Sequence, residues 1–364
     1  MTLPKYLLLF SLLLAGCSTA PVEQVERVIP ATIDLQIDDT GSAGLNVGIR
    51  VFDSEETVTS SIYVAASQVR FVEQRYLPYV LKRTLDRSGY WGAVRVMPRH
   101  DPSAEIRVEG RVIRSNGSTL AIHLRVFDAT GRTWIDEIYR DEAEAQDYSK
   151  DPDYVIDPFR DLYHRVANDM AAFLQNLDTG DRRQILNTAL VRYGNALSPD
   201  AFSRYFRQED DQYRLVGLPA AGDPLLTGVR RIRESEYLFA DSMDAHFELL
   251  YRTIGPTYAW WRYYNHELVA GNERIAGIDA TRGASKGSWY AMERIYKTFK
   301  EAKMNQDALR ELSESFDRET ATTSAEVAGR MIELNGSLDN QYQTWRRILK
   351  QMYLDEAPES LGIE

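Results

Sequence analysis

The chain has 364 residues, with 43 Lys and Arg against 54 Asp and Glu, a formal charge of -11 at neutral pH. That acidic balance argues against bulk nucleic-acid binding and against attachment to an anionic membrane face by charge alone. Hydrophobic residues at 44% and aromatic residues at 11% speak for a packed globular chain rather than a disordered one, and the length suits two domains.

The first segment carries a single charged side chain, Lys5, then "YLLLFSLLLAG" and the only cysteine of the chain, Cys17. A basic start, an apolar stretch too short to span a bilayer and small residues at its end make the secretory-signal pattern. Leu14-Ala15-Gly16-Cys17 resembles the lipobox of bacterial lipoproteins. The resemblance implies removal of residues 1–16 and acylation of Cys17, which would anchor a soluble body without a transmembrane helix. Ser18 follows the cysteine, where an Asp favours inner-membrane retention in the lipoproteins it resembles, so the resemblance implies the outer membrane, facing the periplasm. The polar run that follows, with Pro21 and Pro30, makes residues 17–44 a tether.

Strand alternation begins at Leu45, with Val47, Ile49 and Val51 on one face. Apolar residues at helical spacing from Val72 to Leu85 predict a helix over 68–89, with Pro78 inside and Gly89 as its cap. "AEIRVEGRVIR" and "TLAIHLRVF" alternate on either side of Asn116-Gly117, a tight-turn pair, and "TWIDEIYR" completes a meander. Asp157-Pro158 then predicts the start of a helix to Leu177, with Leu162, Val166, Met170 and Phe173 inward.

Residues 45–177 thus read as an antiparallel-dominated sheet with helices on one face. This pattern, with "YLPYVLKRTLDRSGYWGAVRV" and "DPFRDLYHRVANDMAAFL", resembles the ABC-transport auxiliary lipoproteins and the TolB N-terminal-like domains. The resemblance implies a periplasmic docking domain with no chemistry of its own.

Residues 178–364 read as an all-α domain, so the fold class expected for the whole is α+β. Asp181 and Ser198 are candidate helix caps, and "SPDAFSRYFRQ" is a short amphipathic segment. A long helical stretch from Pro224 to about Gly277 is expected to break near Pro256. Two final helices are expected at about 288–317 and 322–356, the second carrying Ala325, Ala328, Ile332, Leu338, Tyr342 and Trp345 on one stripe.

Motifs for chemistry are sparse. His100, His123, His164, His246 and His266 are scattered, and His266-Glu267 lacks the second histidine of a zinc-protease helix. Ser285 beside Lys286 stands in a loop without a nucleophile elbow or phosphate-loop spacing. No cofactor, no metal and no catalytic residue is expected. The richest stretch places Glu234, Glu236, Asp241, Asp244 and Glu267 beside "YAWWRYYNHE". There Tyr258, Trp260, Trp261, Arg262, Tyr263 and Tyr264 are candidate contacts for a glycan or a partner protein. An alternative is that Trp260, Tyr263 and Tyr264 pack in a helical core while the acids face water.

The expected function is that of a non-enzymatic accessory or docking subunit of an envelope transport or secretion assembly. Its partners would be the lipid bilayer through Cys17 and proteins of that assembly, with no nucleic acid. The alternative is a peptidoglycan- or glycan-binding or glycan-hydrolysing envelope protein, using paired carboxylates.

Overall fold

The computed structural model describes residues 26–30, 32–39, 44–54, 64–98, 102–148, 157–220, 222–282, 289–318, 323–327, 330–334 and 336–361. The chain opens with β1 (Glu26–Val28), β2 (Val47–Arg50) and β3 (Asp53–Ser54), followed by α1 (Val64–Ser88) and β4 (Val94–Met97). Three long strands follow: β5 (Ile106–Ser115), β6 (Thr119–Asp128) and β7 (Thr133–Glu142). Beyond them run α2 (Arg160–Gln175), α3 (Thr179–Leu197), the one-turn α4 (Pro199–Phe202), β8 (Phe206–Glu209) and β9 (Gln212–Leu215). The chain then forms α5 (Pro224–Arg282), α6 (Trp289–Arg318), β10 (Thr323–Val327), β11 (Arg330–Leu334) and α7 (Leu338–Leu361).

The fold is α+β, as the alternation of strand and helix patterns implied. Strands lie in the order β1-β7-β6-β5-β2-β4, with β3 also on β5. The long strands β5, β6 and β7 pair antiparallel, while β1, β2, β3 and β4 join parallel, so the sheet is mixed. Period-two patterning sets its faces. Ile106, Val108 and Val112 are buried with Leu120, Ile122, Leu124 and Val126 of the neighbouring strand. The opposite face carries a polar ladder, in which Arg125 meets Glu109 at 2.6 Å and His123 meets Asp136 at 2.6 Å. Helices α1 and α2 pack on the sheet and on each other, and α5 packs on α1 and β4. One hydrophobic core joins the strands, α1, α2, α3, α5 and α7, running across residue 177.

The helix ends follow local chemistry. Asp157 accepts from the Phe159 N–H at 2.9 Å just before α2, and Asp178, not Asp181, caps α3 by accepting from the Asp181 N–H at 2.7 Å. Asp223 does the same for α5 through the Leu225 N–H at 2.8 Å, with Pro224 as its first residue. That helix runs unbroken through Pro256. The proline is on the exposed side, where the carbonyl left without its i+4 donor can be hydrated.

Three further expectations are corrected. Residues 26–30 and 32–39 do not hang free as part of a tether: β1 extends the sheet along β7, Ile29 is buried and Ile33 and Leu35 pack against the core. The Ile33 N–H donates to Asp161 at 3.2 Å, and His164 Nδ1 lies 2.7 Å from the Ile33 carbonyl. Second, the segment after α4 forms the hairpin β8-β9, turning at Asp210 with φ 53°. Third, the stretch read as the start of the last helix is the hairpin β10-β11, in which Ala325 pairs directly with Ile332. The all-α expectation for residues 178–364 therefore holds for most of that region but not for these two hairpins.

The tight turn between β5 and β6 docks on α5. Gly117 has φ +84°, and a Cβ there would lie 2.7 Å from the His266 backbone nitrogen and against the Arg262 carbonyl. Glycine is required both for its left-handed backbone and for the close approach. Gly117→Ala is expected to destabilise the fold by about 2 kcal/mol or more, read as a clear drop in melting temperature. Asn116→Ala, which removes side-chain acceptance from the Ser118 and Thr119 N–H groups, should cost about 1 kcal/mol.

Candidate functional site

The aromatic stretch singled out in the sequence lies in the middle of α5, and the helix divides it by face. Tyr258, Trp261 and Arg262 are buried, whereas Trp260 is at the surface and Tyr263 and Tyr264 are half-buried. The alternative packing expected for this run had the wrong phase: Tyr258 and Trp261 fill the core, not Trp260. Trp260 instead stacks on Tyr264 and meets Tyr263 edge-on, each with ring centroids 5.9 Å apart. Inward, Tyr258 stacks on Trp261 at 5.7 Å and leans on Tyr76 of α1 at 4.8 Å.

Arg262 is the unusual member, a guanidinium 2% exposed. Its Nη1 donates to Asp157 Oδ1 at 2.8 Å. Its plane lies 4.3 Å from the Tyr258 ring centre and 4.9 Å from that of Phe159, a cation held between aromatic faces. Nε and Nη2 find no hydrogen-bond partner among the described residues. Burial acts to lower its pKa, but the Asp157 carboxylate prevails and the group stays charged. Next to it, Tyr148 donates to the Gly117 carbonyl and packs on Tyr263 and His266. His266 Nδ1 is 3.1 Å from Ser118 Oγ.

The carboxylates of the same helix are engaged one by one rather than paired for catalysis. Glu236 is buried and accepts from Tyr193 at 2.5 Å and Tyr342 at 2.7 Å. Asp241 takes the Arg95 fork at 2.6 and 3.2 Å. Asp244 lies 3.2 Å from Lys82, and burial pushes its carboxyl up to about 6 against that attraction. Glu234 is exposed and Glu267 half-buried. Among the described residues no group of three or more His, Cys, Asp or Glu could hold a metal ion. Cys17, His100, Ser285 and Lys286 lie outside the described residues.

Sequence reasoning missed the groups that complete this region. Glu73 on α1 is buried and accepts from Ser115 at 2.5 Å and from Tyr258 at 2.6 Å. Its position between Val72 and Tyr76, within the apolar stripe of the helix, was the available signal. Glu105 is equally buried and takes Arg233 of α5. Asp157, read only as a cap, also neutralises Arg262.

Comparison with protein-family models and with curated proteins gave no match for this chain.

Two expectations follow from the geometry. Asp157→Asn keeps a capping side chain but strips the buried guanidinium of its countercharge, and should cost about 3 kcal/mol. Adding Arg262→Met should recover much of that loss, and a double-mutant cycle on melting temperatures reads the coupling.

Asp141, at the end of β7, has its carboxyl pushed up to about 7 by burial first and by Asp161 second. The folded chain therefore holds this proton more tightly than the unfolded one, whose value is near 3.8. The stabilising contribution is full below that value and is lost as pH rises towards 7. Asp141→Asn should leave the melting temperature close to wild type in acid and raise it above pH 7, as paired thermal melts would show.

Proposed function

We propose that the protein is a lipid-anchored, non-enzymatic accessory subunit whose body docks with an envelope transport or secretion assembly from the periplasmic side of the outer membrane. The observation that carries this reading is Leu14-Ala15-Gly16-Cys17 at the end of an apolar leader, the pattern at which lipoproteins are acylated. It agrees with a body in which no helix among the described residues is long and apolar enough to cross a membrane. An anchor would confine that body to a thin layer and raise its effective concentration toward membrane-bound partners.

The body itself weighs against hydrolysis. The candidate carboxylates Glu236, Asp241 and Asp244 bind other parts of the fold, which leaves them poorly suited to act as an acid and nucleophile pair. Leu238, Leu249 and Trp260 are exposed on α5 at eleven-residue steps, which places them on one face over about 33 Å of helix. About 16 Å apart, they are separate apolar points rather than a continuous patch, and they mark the face on which a cross-linker would report a contact.

Cys17→Ser is expected to move the protein from the membrane fraction to the soluble fraction, and mass spectrometry of the native protein should find Cys17 acylated as the first residue. A retained leader or an unmodified thiol would overturn the anchor. For docking, a photo-cross-linker at position 249 should give a discrete protein adduct in cells with the anchored chain and little with Cys17→Ser. Equal or absent adducts would speak against a partner met at the membrane.

A further inference from the structure

A cleft of about 910 Å3 opens where β2 ends, α1 and α5 pass, and α7 begins. Its size falls in the range of small-molecule sites. Four arginines line it, Arg50, Arg75, Arg346 and Arg347, and Asp339 is the one carboxylate among its lining residues. With Asp53 against Arg50 and Glu236 against Arg346 counted, the four arginines still outnumber the carboxylates here, in a chain of net charge -11.

Three of the cations are held in place by other groups. Arg75 donates to the Phe71 carbonyl at 3.3 Å and lies over the Phe71 ring at 4.1 Å. Arg50 is 3.2 Å from Asp53. Arg346 has its Nε 3.5 Å from Glu236 Oε1, and that carboxylate is itself fixed by Tyr193 and Tyr342. Arg347 is exposed. The start of α7 adds a second source of positive potential, since Ser337 and Leu338 line the cleft and the helix N-terminus carries partial positive charge. Asp339 works against this, but its Oδ2 accepts from Gln343 at 3.2 Å. Val51, Pro98, Phe247 and Leu338 give the cleft an apolar wall.

We propose that this cleft binds a small organic molecule bearing at least two oxyanion groups, phosphate or carboxylate. Guanidinium forks match both groups bidentately. Arg50 and Arg346 each touch a carboxylate of the fold through one nitrogen, and a guanidinium has five N–H donors, so further donors of all four can serve a ligand; the apolar wall suits the carbon or sugar skeleton between charges. The overall acidity of the chain disfavours a long polyanion, which would meet repulsion beyond the rim. This inference stands independently of membrane attachment.

The test is calorimetric titration and thermal melting of the full-length protein in low salt, with pyrophosphate and citrate as probes. At least one should bind saturably with a Kd below about 1 mM and raise the melting temperature. Preference for pyrophosphate identifies a phosphate ligand, and preference for citrate a carboxylate one. Arg50→Gln with Arg347→Gln should weaken binding by about tenfold or more, the effect of losing about 1.4 kcal/mol. Arg347→Gln alone, at an exposed position, should leave the ligand-free melting temperature unchanged while weakening binding, and serves if the double variant fails to fold. No saturable binding of either probe, or unchanged affinity in these variants, would overturn the proposal.

Discussion

Charge buried along α5 has to be answered by groups far away in the sequence, and that requirement fixes how the long helix sits on the rest of the chain. Arg233 meets Glu105 ahead of β5, Glu236 meets tyrosines of α3 and α7, Tyr258 meets Glu73 of α1, and Arg262 meets Asp157 before α2. A buried charge left without its partner costs several kcal/mol. Apolar packing alone would tolerate sliding or rotating such a helix by a turn, because Leu, Phe and Trp contacts are non-directional. Four polar meetings between positions 233 and 262 can be satisfied together in one register only. The hydrophobic core supplies the drive to pack, and the polar contacts choose the arrangement.

Much of the first half of the fold was readable because its patterns are periodic and its turns have specific chemistry. Ile106, Val108 and Val112 alternate as a half-buried strand must, Gly117 supplies the positive φ of a hairpin, and Leu162, Val166 and Met170 recur at helical spacing with all three buried. The misreadings have equally definite causes. Ala325 and Ile332 are seven residues apart, a spacing that suits one face of a helix as well as facing positions of a hairpin, and here they pair across strands. The density of aromatics from Tyr258 to Tyr264 hid the phase of α5, since inward and outward stripes both look apolar. Arg262 concealed it further, because a charge reads as a surface residue until a carboxylate such as Asp157 appears beside it.

Glu236 shows how one group can serve both packing and recognition. It closes a hydrogen-bonded set with Tyr193 and Tyr342 inside the fold, and its Oε1 lies 3.5 Å from Arg346, whose side chain lines the cleft. A cation positioned from behind loses less side-chain freedom when an anion arrives. The residue that secures α7 thus also sets the direction from which a ligand would be held.

The attachment of β1 to the edge of β7 changes the geometry of any lipid anchor at Cys17. With Glu26 already part of the sheet, only residues 17–25 would separate an acylated Cys17 from the body, and a chain of that length spans at most about 30 Å. Under the proposed acylation, so short a lead would keep the body near the bilayer surface, within reach only of partners in or beside that membrane.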